Sequence, residues 1–264
     1  MQTSYSVPEW YINEFNPLDY YHTYYATGQG VFVAEWTEFV LRNMHETFAP
    51  GGLKGDILID FGAGPTIYHL LSACEVFNTI ITSDFLAQNR EQLEKWLRKD
   101  TDALDWTHVV RHVCDLEGDS SNLEKKKETL RRKVIKVLKC DALAEKPYGA
   151  EPMPQADCIT SCLCLEAPCK DLEAFTNILK KLKELLKPGG HVVIQSVLNC
   201  TFYYVGKKCF SCLSLTKDEL EKAFKEAGYE IVKLKVIPRT EKLGIDISDY
   251  DSYYYVHARK PQKE

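Results

Sequence analysis

Two carboxylates, a pair of glycines and a glutamate further along have the types and spacing to do chemistry. Residues 56–66 read Asp-Ile-Leu-Ile-Asp-Phe-Gly-Ala-Gly-Pro-Thr, an apolar run at 57–59 closed by Asp60 and a Gly62-x-Gly64 turn. Such a run predicts a buried parallel strand, and the helical periodicity from Pro65 and Thr66 through Leu70 and Leu71 predicts a helix start behind the turn. The glycines let the backbone bend sharply and let a ligand lie against bare main chain, while a helix start would aim free N–H groups at the same place. About twenty residues beyond the turn, Asp84 ends a second strand, where a carboxylate takes both hydroxyls of a ribose. The implied ligand is nucleotide-like. Glu166 falls just past a further strand, 156–161, at the carboxyl end where open α/β sheets bind ligands.

A dinucleotide site needs Gly-x-Gly-x-x-Gly, but Ile67 stands at the third glycine position and Pro65 intrudes in the loop. A turn whose glycines serve only the bend is the plain alternative. The layout of Asp60, Gly62-x-Gly64 and Asp84 resembles that of the S-adenosylmethionine (SAM) dependent methyltransferases.

Composition narrows the partners. A chain of 264 residues with net charge -5 lacks the basic footprint of a nucleic-acid binder. Lys125, Lys126, Lys127, Arg131 and Arg132 alternate with acids and read as a solvated helix face. No run of eighteen apolar residues and no signal peptide is seen, so neither a membrane partner nor secretion is expected. The ten cysteines then read as reduced thiols packed as small apolar groups, in the cytoplasm. Cys209-x-x-Cys212 has no second pair at zinc spacing, and Cys158, Cys162, Cys164 and Cys169 are irregularly placed, so no metal is assigned. Nothing marks an oligomer interface, and a monomer is expected.

The elements that must position these residues follow in order. Residues 11–25 are rich in tyrosine; on a helix Tyr20 and Tyr24 share one face and Tyr21 and Tyr25 another, either as packing or as a lid whose phenols close over ligands. A helix over 33–48 follows, and Pro50-Gly-Gly52 separates this cap, 1–50, from the sheet core, 51–264, of one domain spanning 1–264. Further expectations are an amphipathic helix at 88–98, an exposed charged helical segment to 133, and strands at 134–140, 156–161 and 191–197. A helix over 172–186 is stopped by Lys187-Pro-Gly-Gly190, and His191 is read as structural. A long loop, 199–215, is long enough to be functional. Thr216 and Glu219 form a capping box for a helix reaching Ala227, strands at 229–237 and 253–259 finish the sheet, and the acidic loop 246–251 returns toward the site.

With these elements placed, the chain resembles a specific family. Phe15-Asn-Pro-x-Asp-Tyr20, Leu58-Ile-Asp-x-Gly-x-Gly-Pro-Thr-Ile-Tyr68, Leu93-Glu-Lys-Trp-Leu97, Cys114-Asp-Leu-Glu-Gly118, Val137-Leu-Lys-Cys-Asp141 and Leu185-Leu-Lys-Pro-Gly-Gly190 are similar to the small-molecule amine N-methyltransferases, which include nicotinamide, indolethylamine and phenylethanolamine N-methyltransferases. The resemblance implies a Rossmann-like class I SAM-dependent methyltransferase. Its α/β fold has a seven-stranded, mostly parallel sheet with helices on both faces and an N-terminal helical cap. By the same resemblance the cofactor, S-adenosyl-L-methionine with product S-adenosyl-L-homocysteine, would meet Tyr20, Tyr25, Gly62, Ala63, Gly64, Thr66, Tyr68, Asp84, Phe85, Asn89, Asp141 and Ala142.

A small-molecule amine would meet Tyr20, Leu163, Ala167, Ser196, Cys200, Tyr203, Cys212 and Asp249, with Glu166 as the catalytic residue. The nicotinamide enzymes carry an aspartate where Ser196 stands and a serine where Cys200 stands; the phenylethanolamine enzymes have a glutamate at the latter position. Met44-His-Glu-Thr-Phe-Ala-Pro-Gly-Gly52 and Val205-Gly-Lys-Lys-x-Phe-Ser-Cys212 look most like the indolethylamine members, so an arylalkylamine such as tryptamine is the expected substrate. A nicotinamide N-methyltransferase is the alternative, and a SAM-binding sensor or scaffold without chemistry is the alternative of another class. An amine of pKa near ~10 must shed a proton before attack, and Glu166 is placed to attract the ammonium and help remove it.

Overall fold

The structure, a computed structural model, describes residues 5–27, 30, 35–242 and 244–262. Alternating apolar strands and amphipathic helices build one seven-stranded sheet. Its strands are β1 (Gly55–Phe61), β2 (Phe77–Asp84), β3 (Val134–Lys139), β4 (Ala156–Cys162), β5 (Leu186–Leu198), β8 (Glu230–Pro238) and β9 (Ser252–Arg259). Their order is β3-β2-β1-β4-β5-β9-β8; the first five are parallel, and β9 runs antiparallel between β5 and β8. Chain direction across the sheet reverses between β1 and β4, which opens a crevice at the carboxyl ends of these strands.

Neighbouring residues of β1 face opposite cores. Leu58 packs with Trp36, Phe48 and Leu70 on one face of the sheet, while Ile59 packs with Phe175, Ile178 and Val192 on the other. The expected helices are present: α3 (Glu35–Phe48), α4 (Ala87–Arg98), α7 (Leu172–Glu184) and α8 (Lys217–Glu226), after the N-terminal α1 (Pro8–Glu14) and α2 (Pro17–Tyr24). Positions 33 and 34 of the expected 33–48 helix lie outside the described residues. Local chemistry fixes the starts. Asn16 accepts from the N–H groups of Leu18 and Asp19 with Pro17 in the first turn, Asp171 caps α7, and the Thr216–Glu219 capping box is fully formed.

Four expectations change. The charged stretch before β3 is two helices, α5 (Thr107–Leu116) and α6 (Leu123–Lys133), and α5 buries Val109, Val110, Val113 and Cys114 instead of lying exposed. Lys126 is not solvated: its ammonium sits 2.7 Å from Glu75 and 2.5 Å from Glu117, so pairing on two sides makes its burial tolerable. The long loop 199–215 has strands of its own, a hairpin of β6 (Phe202–Val205) and β7 (Lys208–Ser211). Pro188, Gly189 and Gly190 belong to β5 instead of preceding it, because the Lys260 carbonyl beside the sheet takes the Gly189 N–H at 3.1 Å.

His191 is structural, as expected, but it has a histidine partner: His257 Nε2 on β9 lies 2.9 Å from its Nδ1. Burial, with His191, Lys233 and Arg259 nearby, holds His257 down to about 4 from an ordinary 6.5. Between these values the unfolded chain binds a proton that the native state refuses. This contribution to stability is therefore complete above the unfolded pKa and is lost as pH falls toward 4. The unfolding midpoint is expected to fall across that window in wild type and to fall less steeply in His257→Gln, as a pH series of thermal melts would measure.

Candidate active site

The crevice is a cavity whose floor is the Gly62–Gly64 turn and whose roof is the N-terminal segment from Tyr5 to Tyr24. Both turn glycines have left-handed backbone, with φ of 73° at Gly62 and 60° at Gly64. A Cβ on Gly62 would lie 1.9 Å from Cys164 Sγ, whereas one on Gly64 would meet nothing within 4 Å and would intrude on the cavity. The turn thus presents main chain to the cavity.

Its N–H groups do not serve an anion, however. Those of Gly62 and Ala63 both bond the Ser83 carbonyl at 2.9 Å, and that of Gly64 donates to Asp84 Oδ2 at 2.8 Å. Nor does an α-helix start behind the turn: residues 65–76 hold two 3₁₀ turns, Tyr68–Leu70 and Ala73–Glu75. Every residue from 65 to 74 is buried, so the segment has no solvent face for an amphipathic helix and packs as tight turns.

Those hydrogen bonds fix Asp84 instead. Its Oδ1 accepts from Leu86 N at 2.9 Å and Asn89 Nδ2 at 3.0 Å. Burial pushes the carboxyl up while these donors and Arg90 pull it down. Asn89 Oδ1 is buried at the cavity wall without a hydrogen-bond partner among the described residues. An oriented carboxylate beside an unpartnered amide oxygen suits a ligand rich in hydroxyl donors, as a ribose is. Phe85, Asp141 and Ala142 line the same end, and Asp141 Oδ1 accepts the N–H of Leu143 at 2.9 Å. These residues fit the nucleoside part of SAM.

Asp60, the acid of the strand tip, has another partner. His69 Nε2 lies 2.8 Å from its Oδ1, and Thr82 donates to its Oδ2 at 2.9 Å, all fully or nearly fully buried. The group locks β1, β2 and the 3₁₀ turns behind the cavity. Only the apolar setting of His69 in the sequence hinted at it.

Of the N-terminal tyrosines, Tyr20 and Tyr24 line the cavity with their rings 5.1 Å apart, and Tyr21 packs on Trp106 at 5.3 Å. Tyr25 does not line it. As the residue after α2 it turns away, and its phenol contacts that of Tyr68 at 3.1 Å from behind, while Tyr68 itself, like Thr66, is in the wall. Tyr5, Tyr11, Phe15 and Tyr24 also wall the cavity and are absent from the sequence-based site. Their signal was the aromatic density of the N-terminus, which does not say which rings face inward.

At the end away from Asp84 the wall holds Leu163, Glu166, Ala167, Ser196, Cys200, Tyr203 and Cys212. Leu163 has a φ of 51°, strained for a residue with a Cβ, and its N–H donates to Gln195 O at 3.0 Å; this bend carries the chain from β4 across the mouth of β5. Asp249 is not brought in. Its carboxylate accepts the Thr201 N–H at 2.7 Å and the Phe202 N–H at 3.2 Å, so it anchors the base of the hairpin. Glu166 is buried, accepts a hydrogen bond from the Tyr254 hydroxyl, and is pushed up by burial against the pull of Tyr254 and Ser196. All ten cysteines are free thiols, and no group of three or more metal-binding side chains occurs among the described residues.

The fold matches that of magnesium protoporphyrin IX methyltransferase from Synechocystis PCC 6803, with a TM-score of 0.58 at 12% identity over 96% of this chain and 94% of that one. A SAM-dependent methyltransferase from Methanosarcina mazei superposes with a TM-score of 0.55 at 13% identity, over 80% and 95%. The fold is that of the class I SAM-dependent methyltransferases.

Within that class the match is narrower. The model of the NNMT/PNMT/TEMT family covers residues 3–261, and the chain belongs to this family. It is 44% identical to nicotinamide N-methyltransferase of Homo sapiens over 98% of both chains, and 43% identical to indolethylamine N-methyltransferase of Mus musculus over 95% and 94%. Phenylethanolamine N-methyltransferase of Sus scrofa is 35% identical over 93% and 88%. The enzyme is thus an N-methyltransferase.

Proposed function

We propose that the protein methylates the nitrogen of a small arylalkylamine, with Glu166 as the group that receives the ammonium. The observation that carries this reading is a buried carboxylate, Glu166, set in an otherwise aromatic and apolar end of the cavity. A flat ring fits between Tyr20, Tyr24, Tyr203 and Leu163, and a cation tethered to it would reach Glu166. The residues that would hold SAM are Gly62, Ala63, Gly64, Thr66, Tyr68, Asp84, Phe85, Asn89, Asp141 and Ala142, which form one end of the same cavity. SAM supplies an already electrophilic methyl carbon on a sulfonium.

What remains for the chain is to hold a neutral nitrogen in line with that methyl and to exclude water. Tyr11, Phe15, Tyr20 and Tyr24 close the cavity from above. Glu166 draws the ammonium in and accepts its proton, directly or through a water molecule, which frees the lone pair. No covalent intermediate with the enzyme is needed.

Relatives of near-equal identity act on nicotinamide and on indolethylamines, so the substrate is decided by measurement. Methyl transfer from labelled SAM to tryptamine, phenylethylamine, phenylethanolamine and nicotinamide is expected to favour the first two by roughly tenfold or more in kcat/KM, because nicotinamide presents an amide that leaves Glu166 without a cation. Preference for nicotinamide would overturn the arylalkylamine reading. SAM binding with no turnover on any of the four would place the acceptor amine outside this panel.

A further inference from the structure

Glu166 has a partner that does not face the substrate. Tyr254 lies on β9, directly opposite Ser196 on β5, and in an antiparallel pair two residues so placed project to the same side of the sheet. Both are buried, with exposures of 0% and 2%. Glu166, at 2%, is on the loop after β4, where its carbonyl accepts the Leu213 N–H at 3.1 Å. The Tyr254 hydroxyl donates to Glu166 Oε1, with Ser196 as its cross-strand neighbour. Ser196 and Glu166 line the cavity; Tyr254 is not among the lining residues and approaches from inside the protein.

A glutamate has three rotatable bonds, and its charge is costly to bury. One strong donor from behind removes both difficulties: it fixes the carboxylate in one orientation and favours its ionised form. Tyr254 suits the task because burial and the neighbouring Glu166 charge hold its own phenol well above the ordinary range, so it stays a donor wherever the enzyme works. Its complete burial also gives a proton on Glu166 no exit through the sheet, so that proton must leave by way of the cavity.

We propose that Tyr254 is a positioning residue for the methyl transfer: its hydroxyl pins Glu166 and keeps it anionic toward the amine. The proposal rests on the reading of Glu166 as the ammonium acceptor. It assigns to the sheet, through one tyrosine of β9, the ionisation state of a group on a loop.

The test is the pH profile of kcat/KM for the best amine of the panel in wild type, Tyr254→Phe and Glu166→Gln, with SAM binding and thermal unfolding of each. Loss of one charge-assisted bond is expected to move the acid limb of Tyr254→Phe upward by roughly one pH unit and to cut kcat/KM about tenfold on that limb, with SAM affinity unchanged. In Glu166→Gln the limb is expected to vanish. A limb in Tyr254→Phe that coincides with wild type, while Glu166→Gln loses it, overturns the positioning role and leaves the acceptor reading standing. A limb retained in Glu166→Gln overturns the acceptor reading itself. A Tyr254→Phe enzyme with lower kcat/KM, an unmoved limb and weakened SAM binding makes the tyrosine merely structural, which also overturns the proposal.

Discussion

Replacement of Glu166 by glutamine is expected to lower kcat/KM for an arylalkylamine by roughly 10²–10³-fold, the range typical of a lost proton acceptor that also binds the substrate's charge. Glutamine keeps the shape and can accept from Tyr254, so the fold should persist. What goes is the charge that draws an ammonium into an apolar wall and the basicity that removes its proton. Since burial holds the Glu166 carboxyl above its ordinary range, wild-type kcat/KM should decline as pH falls through that raised value. Steady-state kinetics across a pH series measures both effects. Turnover of Glu166→Gln equal to wild type across that series would remove Glu166 from the mechanism.

The second large effect is expected at the other end of the cavity. Asp84→Asn turns one of two acceptor oxygens into a donor, yet the group must face N–H donors at Leu86, Asn89 and Gly64. At least one donor is left facing another, and the ribose loses a charged acceptor. The two losses together are expected to weaken SAM by about 3 kcal/mol, or roughly 10²-fold in Kd, readable by calorimetry. Because burial raises the Asp84 carboxyl, wild-type SAM affinity should also fall with pH as this group takes up a proton, and the asparagine variant should lack that fall. Unchanged SAM affinity in the variant would separate Asp84 from the cofactor site.

Much of this geometry was legible in the chain, and the parts that were not share a cause. Strand runs such as Ile57–Ile59 and the acids at their ends follow from period and position, so single strands and the places of Asp84 and Glu166 at their ends could be read directly, while the seven-stranded sheet came from the family resemblance and its switch point from the structure alone. Caps such as Thr216 with Glu219 were equally plain. Periodicity misled where a segment is buried on all sides: residues 65–74 repeat like a helix but pack as 3₁₀ turns. Type alone misled where a polar group finds a distant partner. Asp249 looked like a substrate contact and holds the hairpin; Lys126 looked solvated and bridges Glu75 and Glu117. Tyr254 escaped notice because it sits in a row of three tyrosines on a strand, and only the β5–β9 register shows which of them reaches the site.

The roof of the cavity is joined to the hairpin at several points. Ser6 N donates to Ser211 Oγ at 2.7 Å and Ser211 N returns the bond to Ser6 Oγ at 2.8 Å; Trp10 Nε1 bonds Cys209 O, Lys208 pairs with Glu14, and Tyr24 bonds Tyr204 O. On the proposed reading donor and acceptor would share that one cover, so neither would be exchanged alone while it is fastened. Each catalytic cycle would then undo and remake a small zipper of weak bonds, and the traffic of spent molecules outward would set a clock distinct from the bond-making step. A catalyst built this way gains dryness at the moment of transfer in return for a slower door.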